Sequence, residues 1–444
     1  MRNTDFWNQL RSKEVLDQVK LKEIPFNWFF VEDLLERDYQ KKESLSRSGK
    51  KIYGVNTLVG HEDKHSLDVT QIESFQEELL WNHRLGSTPY YSEFEARCIG
   101  YVKAHSITLG GTAVSNELFN YIKKAVIDQD FDPQIPMHAS YSCGDVIPAA
   151  HWATDLLEYI RGKYDSEFSL KSKEGLSLIN GNFIKLGIAI SKIEKILATQ
   201  KAFVSNSKNI LEIGKIDTSN LTKLYAINNA DSIIEAVEEL GMFQGIEQTT
   251  QPPVSIRSLP QMVSAFKDTT NDYLQSIDLF LERRSDNPLI FDDAISQASF
   301  LSPQLTLTTG KLIEMLLSTM WIIESRIQYL LSGEIPHIPM NAKKSKTDLG
   351  LIQIPKLSKA LLEEARSCLG TRTFVSGSST SYGIEDFWDY GLRELNKLDW
   401  ALNYTIHLMA IEKYVLDYCS NAIQNSFAEE VERIENLIKS EGCL

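Results

Sequence analysis

Between residues 303 and 332 the apolar side chains Leu305, Leu312, Leu316, Met320, Ile323, Ile327 and Leu330 step by three, four and seven positions. That spacing lines one face of a helix and makes the face the seam of a helical bundle. The same reading predicts helices over 70–84, 91–107, 114–127 and 151–162, then over 228–244, 259–282, 356–368 and 391–425. Residues 1–50 read as two short polar helices with the aromatic patch NWFF between them, and 51–60 as a loop or short extended piece. The stretch EGLSLINGNFIKLGIAISKIEKILATQKAFV, from residue 174, reads as a glycine-punctuated turn that becomes one long helix. Strand-like alternation is scarce. The expected fold is mainly α, a long-helix bundle whose loops carry the chemistry.

Length divides this picture. At 444 residues the chain exceeds what one core usually serves. A loop-rich helical region over 1–200 and a long-helix bundle over 201–444 are the expected parts. The net charge of -14 argues against a nucleic-acid partner, which needs clustered Lys and Arg. The basic run KKESLSRSGKK at 41–51 reads as solvated loop. The most apolar stretch, 305–331, is interrupted by Lys311, Glu314, Glu324 and Arg326, so it predicts a buried helix and no membrane span. Cysteines stand at 98, 143, 368, 419 and 443, without a CxxC or a Cys/His pair at metal spacing. Free thiols in a reducing cytoplasm, and no metal, are expected.

Several loops combine permissive Gly or Pro with reactive side chains. They are 53–57 (YGVNT), 82–83 (NH), 139–148 (ASYSCGDVIP), 180–182 (NGN), 251–261 (QPPVSIRSLPQ), 285–289 (SDNPL) and 380–386 (TSYGIED). In the third, a thiol and an acid sit at the mouth of a helix, and Gly144 frees the backbone beside Cys143. Loops on a rigid scaffold are where sites usually lie.

In order and content these blocks resemble the histidine and aromatic amino acid ammonia-lyase family. The likeness runs from YGVNT through FQEELLWNHRLG, GDVIPAAH, GLSLINGN, SIRSLPQ and SDNPLIF to TSYGIED, from about residue 50 to 390. It implies the nearly all-α ammonia-lyase fold and a homotetramer whose active sites combine loops of several subunits. It also implies an electrophile made from the chain itself, methylidene-imidazolone (MIO), which in the family arises from Ala-Ser-Gly. Here the tripeptide is Ser142-Cys143-Gly144. Ser142 would contribute only its carbonyl, Gly144 its nitrogen, and Cys143 would expel hydrosulfide where serine expels water. Asp145 matches the acid that assists closure.

The resemblance also assigns roles to other positions. Tyr53 matches the base that takes the substrate β-proton, which requires its phenol to be depressed from about 10 by positive potential. Arg257 matches the arginine that holds the substrate carboxylate, bidentate guanidinium chemistry. Asn180 matches an amide contacting substrate or cofactor, and Gln251 lies in the same stretch as Arg257. Asn82 and His83 fall where the substrate side chain is read, His83 favouring an imidazole. Glu385 matches the acid near the amino group or the imidazole.

The sequence also departs from the family pattern. Val254 stands where the family has a tyrosine, Pro252 where it has an acid, and Ile384 where it has a glutamine. QASFLS at 297–302 and GGTAV at 110–114 are altered, and the region beyond 390 is abbreviated. The predicted function is an ammonia-lyase or aminomutase acting through MIO on an aromatic or imidazole L-amino acid. The alternative is a divergent member without MIO, using Cys143 as a thiol or serving as a carboxylate-ligand binding or scaffold protein.

Overall fold

The computed structural model describes residues 11–140, 143–218, 227, 231–241, 251–369, 379–423 and 425–441. Ser142 and Cys443, named above, and the flanks 228–230 and 242–244 of one expected helix lie outside these residues. The described chain is nearly all helical, with one antiparallel pair of two-residue strands, β1 (Leu289–Ile290) and β2 (Ala294–Ile295). It divides into two compact units.

The first unit comprises 1–192, 274–307 and 373–396. Its helices begin with α1 (Ser12–Leu21) and α2 (Glu32–Arg47), joined through a 3-10 turn at Phe26–Phe30 that contains NWFF. Then come α3 (Ile72–His83), α4 (Glu93–Thr108) and α5 (Asn116–Ile127). The start of α4 is fixed by a capping box: Ser92 Oγ accepts from the Glu95 N–H, and the Glu95 carboxylate accepts from the Ser92 N–H at 2.8 Å. Helix α6 (Val146–Lys163) starts five residues earlier than expected. Pro148 falls in its first turn, where the missing N–H costs nothing, so the proline does not delay the helix.

The stretch after residue 174 also differs from expectation. EGLSLI forms a helix, α7 (Glu174–Ile179), and the long helix divides at Lys192 into α8 (Phe183–Ser191) and α9 (Ile193–Ile213). Gly175 is no turn residue, because α7 needs it small. A Cβ there would lie 2.3 Å from the Gln76 carbonyl oxygen. Gly187 does the same for α8: a Cβ would lie 2.5 Å from Ile99 Cα, so only glycine lets α8 pack directly on α4.

The second unit comprises 193–273, 308–372 and 397–444. It holds α9, α10 (Asp231–Leu240), the short turn α11 (Val254–Arg257), α14 (Ile354–Leu369) and α16 (Phe427–Glu441). The unit boundaries fall within α12 (Leu259–Leu281), α13 (Pro303–Leu331) and α15 (Gly391–Cys419). Every seam residue read from α13 is buried. The last helix, α16, was not expected, yet its signal is plain: Val431, Ile434 and Ile438 are buried at helical spacing.

Within this unit Arg326 is wholly buried and grips Glu412 with two parallel hydrogen bonds, both 2.6 Å. Asn206 donates to the same carboxylate at 2.9 Å, and Arg326 donates to Ser207 Oγ at 2.8 Å. Removing one partner of such a pair leaves a buried charge. Glu412→Ala should therefore cost about 3–5 kcal/mol, read as a lowered denaturation midpoint. A loss below about 1 kcal/mol, the range of exposed pairs, would show that Arg326 finds water or another partner.

Candidate active site

Tyr53 lies in the turn before α3, and its phenol oxygen accepts the Gly60 N–H at 2.8 Å. The next turn, 60–62, packs against the turn 381–383, with the His61 and Tyr382 rings 4.5 Å apart. That contact ties the Tyr53 loop to the Glu385 loop. Thr380 Oγ1 hydrogen-bonds the Glu385 carboxylate and their backbones pair, which closes the second loop on itself.

Cys143 is half-buried and within electrostatic reach of Glu385 and Tyr53. In the unprocessed chain burial pushes its thiol up to about 12, with Glu385 and Asp389 adding to the rise and Lys185 opposing it. Burial also raises the Tyr53 phenol, helped by Glu385, Asp63 and Cys143, and the Gly60 N–H opposes the rise. The direction is the reverse of the depression expected from helix N-termini, because carboxylates and low polarity surround the ring.

The backbone at the thiol is special. Gly144 has φ +94° and Asp145, at the mouth of α6, has φ +45°. A side chain at 144 would meet only ordinary contacts, at 3.6 Å from Val146 and 3.9 Å from Phe300. Glycine is required here by its left-handed φ and not by lack of room. Asp145 is buried, and its Oδ1 accepts from Ser140 Oγ at 2.9 Å.

Beneath the loop lies a charged cluster that the motifs did not disclose. Lys185, on α8, is fully buried, with Nζ 2.7 Å from Asp389 and 3.9 Å from Asp145, and it donates to the Phe300 carbonyl at 3.1 Å. Asp389 is held in turn by the N–H groups of Ser302 and Gly391. A signal was available. Lys185 interrupts the apolar run FIKLGIAI, and a lysine in a buried run must find a partner.

Two further buried lysines hold the neighbouring loops. Lys173 donates to Asp286 at 2.7 Å, to Ser177 Oγ at 2.8 Å and to the Thr112 carbonyl at 3.0 Å. Lys103 donates to the carbonyls of Ser177 and Asn180, and burial lowers its ammonium to about 8. Asn180 uses its side-chain amide to donate to the Asn287 carbonyl at 2.7 Å. Asn180 and SDNPL are thereby joined.

Asn82 and His83 close α3, Asn82 exposed and His83 half-buried, its Nδ1 2.7 Å from the Leu79 carbonyl. The segment just after them is pinned to α6, since Arg84 hydrogen-bonds Thr154 and Asp155 and the Leu85 carbonyl meets His151 Nε2 at 2.9 Å. A Cβ on Gly86 would lie 3.4 Å from Ala139 Cβ, so this segment runs beside the start of the Cys143 loop.

Tyr53, Cys143, Asp145, Asn180 and Glu385 thus belong to the first unit, as do Asn82 and His83. Gln251 and Arg257 belong to the second, both exposed, with Arg257 Nε donating to the Pro252 carbonyl at 3.0 Å. Val254 and Ile384, two of the departures, are exposed apolar side chains. No disulfide joins Cys98, Cys143, Cys368 and Cys419, and among the described residues no His, Cys, Asp and Glu side chains converge as a metal site.

The family description "Aromatic amino acid lyase" matches residues 31–426, most of the chain. The chain belongs to the aromatic amino acid lyase family. Histidine ammonia-lyase 2 of Fusobacterium nucleatum is 24% identical over 411 residues, covering 85% of this chain and 80% of that protein. A probable histidine ammonia-lyase of Thermoplasma acidophilum is 23% identical, covering 92% and 89%. Two solved structures share the fold over 98% of both chains. They are ergothionase from Treponema denticola, with TM-score 0.87 and 17% identity, and phenylalanine aminomutase from Pantoea agglomerans, with TM-score 0.88 and 16% identity. The aromatic amino acid lyase chain is accordingly a carbon–nitrogen lyase of the ammonia-lyase and aminomutase class. Its family is generally MIO-dependent. Among its described residues no helix is long and apolar enough to cross a membrane.

Proposed function

We propose that this lyase eliminates or shifts the amino group of an aromatic or imidazole L-amino acid, using MIO formed from Ser142-Cys143-Gly144. The observation that carries the reading is that the Tyr53 and Glu385 loops are joined through the His61 and Tyr382 rings, with Glu385 and Cys143 both in electrostatic reach of the Tyr53 phenol. Gly144 and Asp145 give the backbone beside the thiol a left-handed turn, and Gly144 offers an unhindered nitrogen for closure.

In closure, the Gly144 nitrogen bonds the Ser142 carbonyl carbon and one water leaves. The Cys143 Cα–H and Cβ–S bonds then break, releasing hydrogen sulfide and leaving a methylene. The product supplies an electrophile that natural side chains lack. Tyr53 takes the substrate β-proton, Glu385 faces the amino group, and Arg257 holds the carboxylate. Asn180 and Gln251 contact substrate, and Asn82 with His83 reads the side chain. A homotetramer, resting on the family likeness, and a cytoplasmic setting, resting on the free thiols, complete the proposal.

The thiol alternative is weaker on physical grounds. A thiol raised to about 12 is ionised at neutral pH in only about one molecule in 10⁵, so it is a poor nucleophile. A protonated sulfur can still leave as sulfide.

Incubation with histidine, phenylalanine and tyrosine, followed by ultraviolet detection of the enoate and chromatography for β-amino acids, tests the reading. Release of ammonia or formation of a β-amino acid from at least one is expected. Absence of both from all three would overturn the substrate class. Arg257→Ala should raise KM about 10- to 100-fold, the worth of a charge-assisted hydrogen bond. An unchanged KM would remove Arg257 from the site.

A further inference from the structure

We propose that Lys185 is a positioning residue for Asp145, and through it for the Gly144 nitrogen, so that it sets the rate at which the 143–145 loop matures. The inference rests on the MIO reading above.

Lys185 is anchored on one side and reaches on the other. Its Nζ is 2.7 Å from Asp389, whose carboxylate is fixed by the Ser302 and Gly391 N–H groups, and 3.1 Å from the Phe300 carbonyl. Backbone holds the clamp too: a Cβ on Gly391 would lie 2.6 Å from Lys185 Cδ. From this fixed seat the ammonium stands 3.9 Å from Asp145 Oδ2, while Ser140 donates to Oδ1 of the same carboxylate. One carboxylate oxygen is thus held by a hydrogen bond and the other faces the ammonium across 3.9 Å. Asp145 follows Gly144 directly and shares its left-handed turn, so fixing the carboxylate fixes the peptide that must close.

Burying an ammonium and two carboxylates is costly unless the geometry repays it. The rest of α8 is an apolar face in which a methionine would pack. Two separate segments, 300–302 and 389–391, converge on this one lysine of α8. A group that must accept the Gly144 proton as the ring closes gains from being held at one distance and angle.

Lys185→Met/Asp389→Asn removes both charges of the clamp. Lys185→Gln/Asp389→Asn does so while keeping a donor at 185, which secures the fold if the first variant loses it. Circular dichroism and Tm establish folding. Maturation is followed in freshly synthesised protein by the mass of the peptide containing Cys143 and by the ultraviolet spectrum of the ring. Folded variants with Tm near wild type should mature about 100-fold more slowly, the scale of lost acid–base assistance. A folded variant that matures at the wild-type rate would overturn the inference alone, leaving the clamp a purely structural ion pair. A wild-type peptide of unchanged mass would overturn the MIO reading and this inference with it.

Discussion

Cys143→Ala should abolish turnover, and Cys143→Ser should keep it. Alanine has no leaving group at Cβ, so the ring can close but the methylene cannot form. Serine expels water where cysteine expels hydrogen sulfide, and both routes end in the same group. The expected loss for the alanine variant is at least about 10³-fold in kcat, comparable to removing the main electrostatic or covalent element of an active site. The comparison between the two variants matters more than either alone. If Cys143 served as a thiol nucleophile, serine at 143 would be nearly inactive, because a hydroxyl without a paired base is a weaker nucleophile than a thiol. If the loop served only in ligand binding, alanine would leave any activity intact. An active alanine variant, measured by ammonia release, removes the loop from the chemistry.

Tyr53→Phe should lower kcat by roughly 10²- to 10⁴-fold, the usual contribution of a positioned base, with KM little changed. The wild-type pH profile gives an independent check. The phenol is raised above its ordinary value by burial and by Glu385, so the phenolate is the minor form at neutral pH. Below the folded pKa its fraction grows with pH. The logarithm of kcat should therefore climb by about one per pH unit from roughly pH 7 to 9, and Tyr53→Phe should flatten that slope. A rate that is flat over this range in the wild type would mean that Tyr53 is not the base. The result bears on the structure as well as the mechanism, since the expected depression was replaced by a rise. Sequence placed a tyrosine in the loop. Of the groups that raise it, Asp63 is local, but Cys143 is 90 positions away and Glu385 332 positions away.

Much of the helical scaffold was legible because it is periodic. The α13 seam needs only local spacing, and all seven of its residues are buried where spacing put them. The start of α6 and the helix α7 were misread because Pro148 and Gly175 look like breakers. Their actual roles, a first-turn proline and a close approach to Gln76, depend on position within a helix and on a neighbour far along the chain. The final helix α16 was overlooked although Val431, Ile434 and Ile438 carry the same periodic signal as α13.

The site divided along the same line. Tyr53, Cys143, Asp145 and Glu385 were named from contiguous motifs. Lys185 and Asp389 are 204 residues apart, and neither lies in a block whose order could be matched. Their pairing is a fact of packing. A lone lysine in FIKLGIAI says that a partner exists and nothing about which one.

The most direct test of the central claim is the high-resolution mass of the peptide spanning 142–144, taken from the purified chain. The account predicts a mass lower by one water and one hydrogen sulfide, accompanied by the ring's ultraviolet absorbance in the native protein. A peptide of unchanged mass, with a thiol that alkylates once the protein is unfolded, would contradict it.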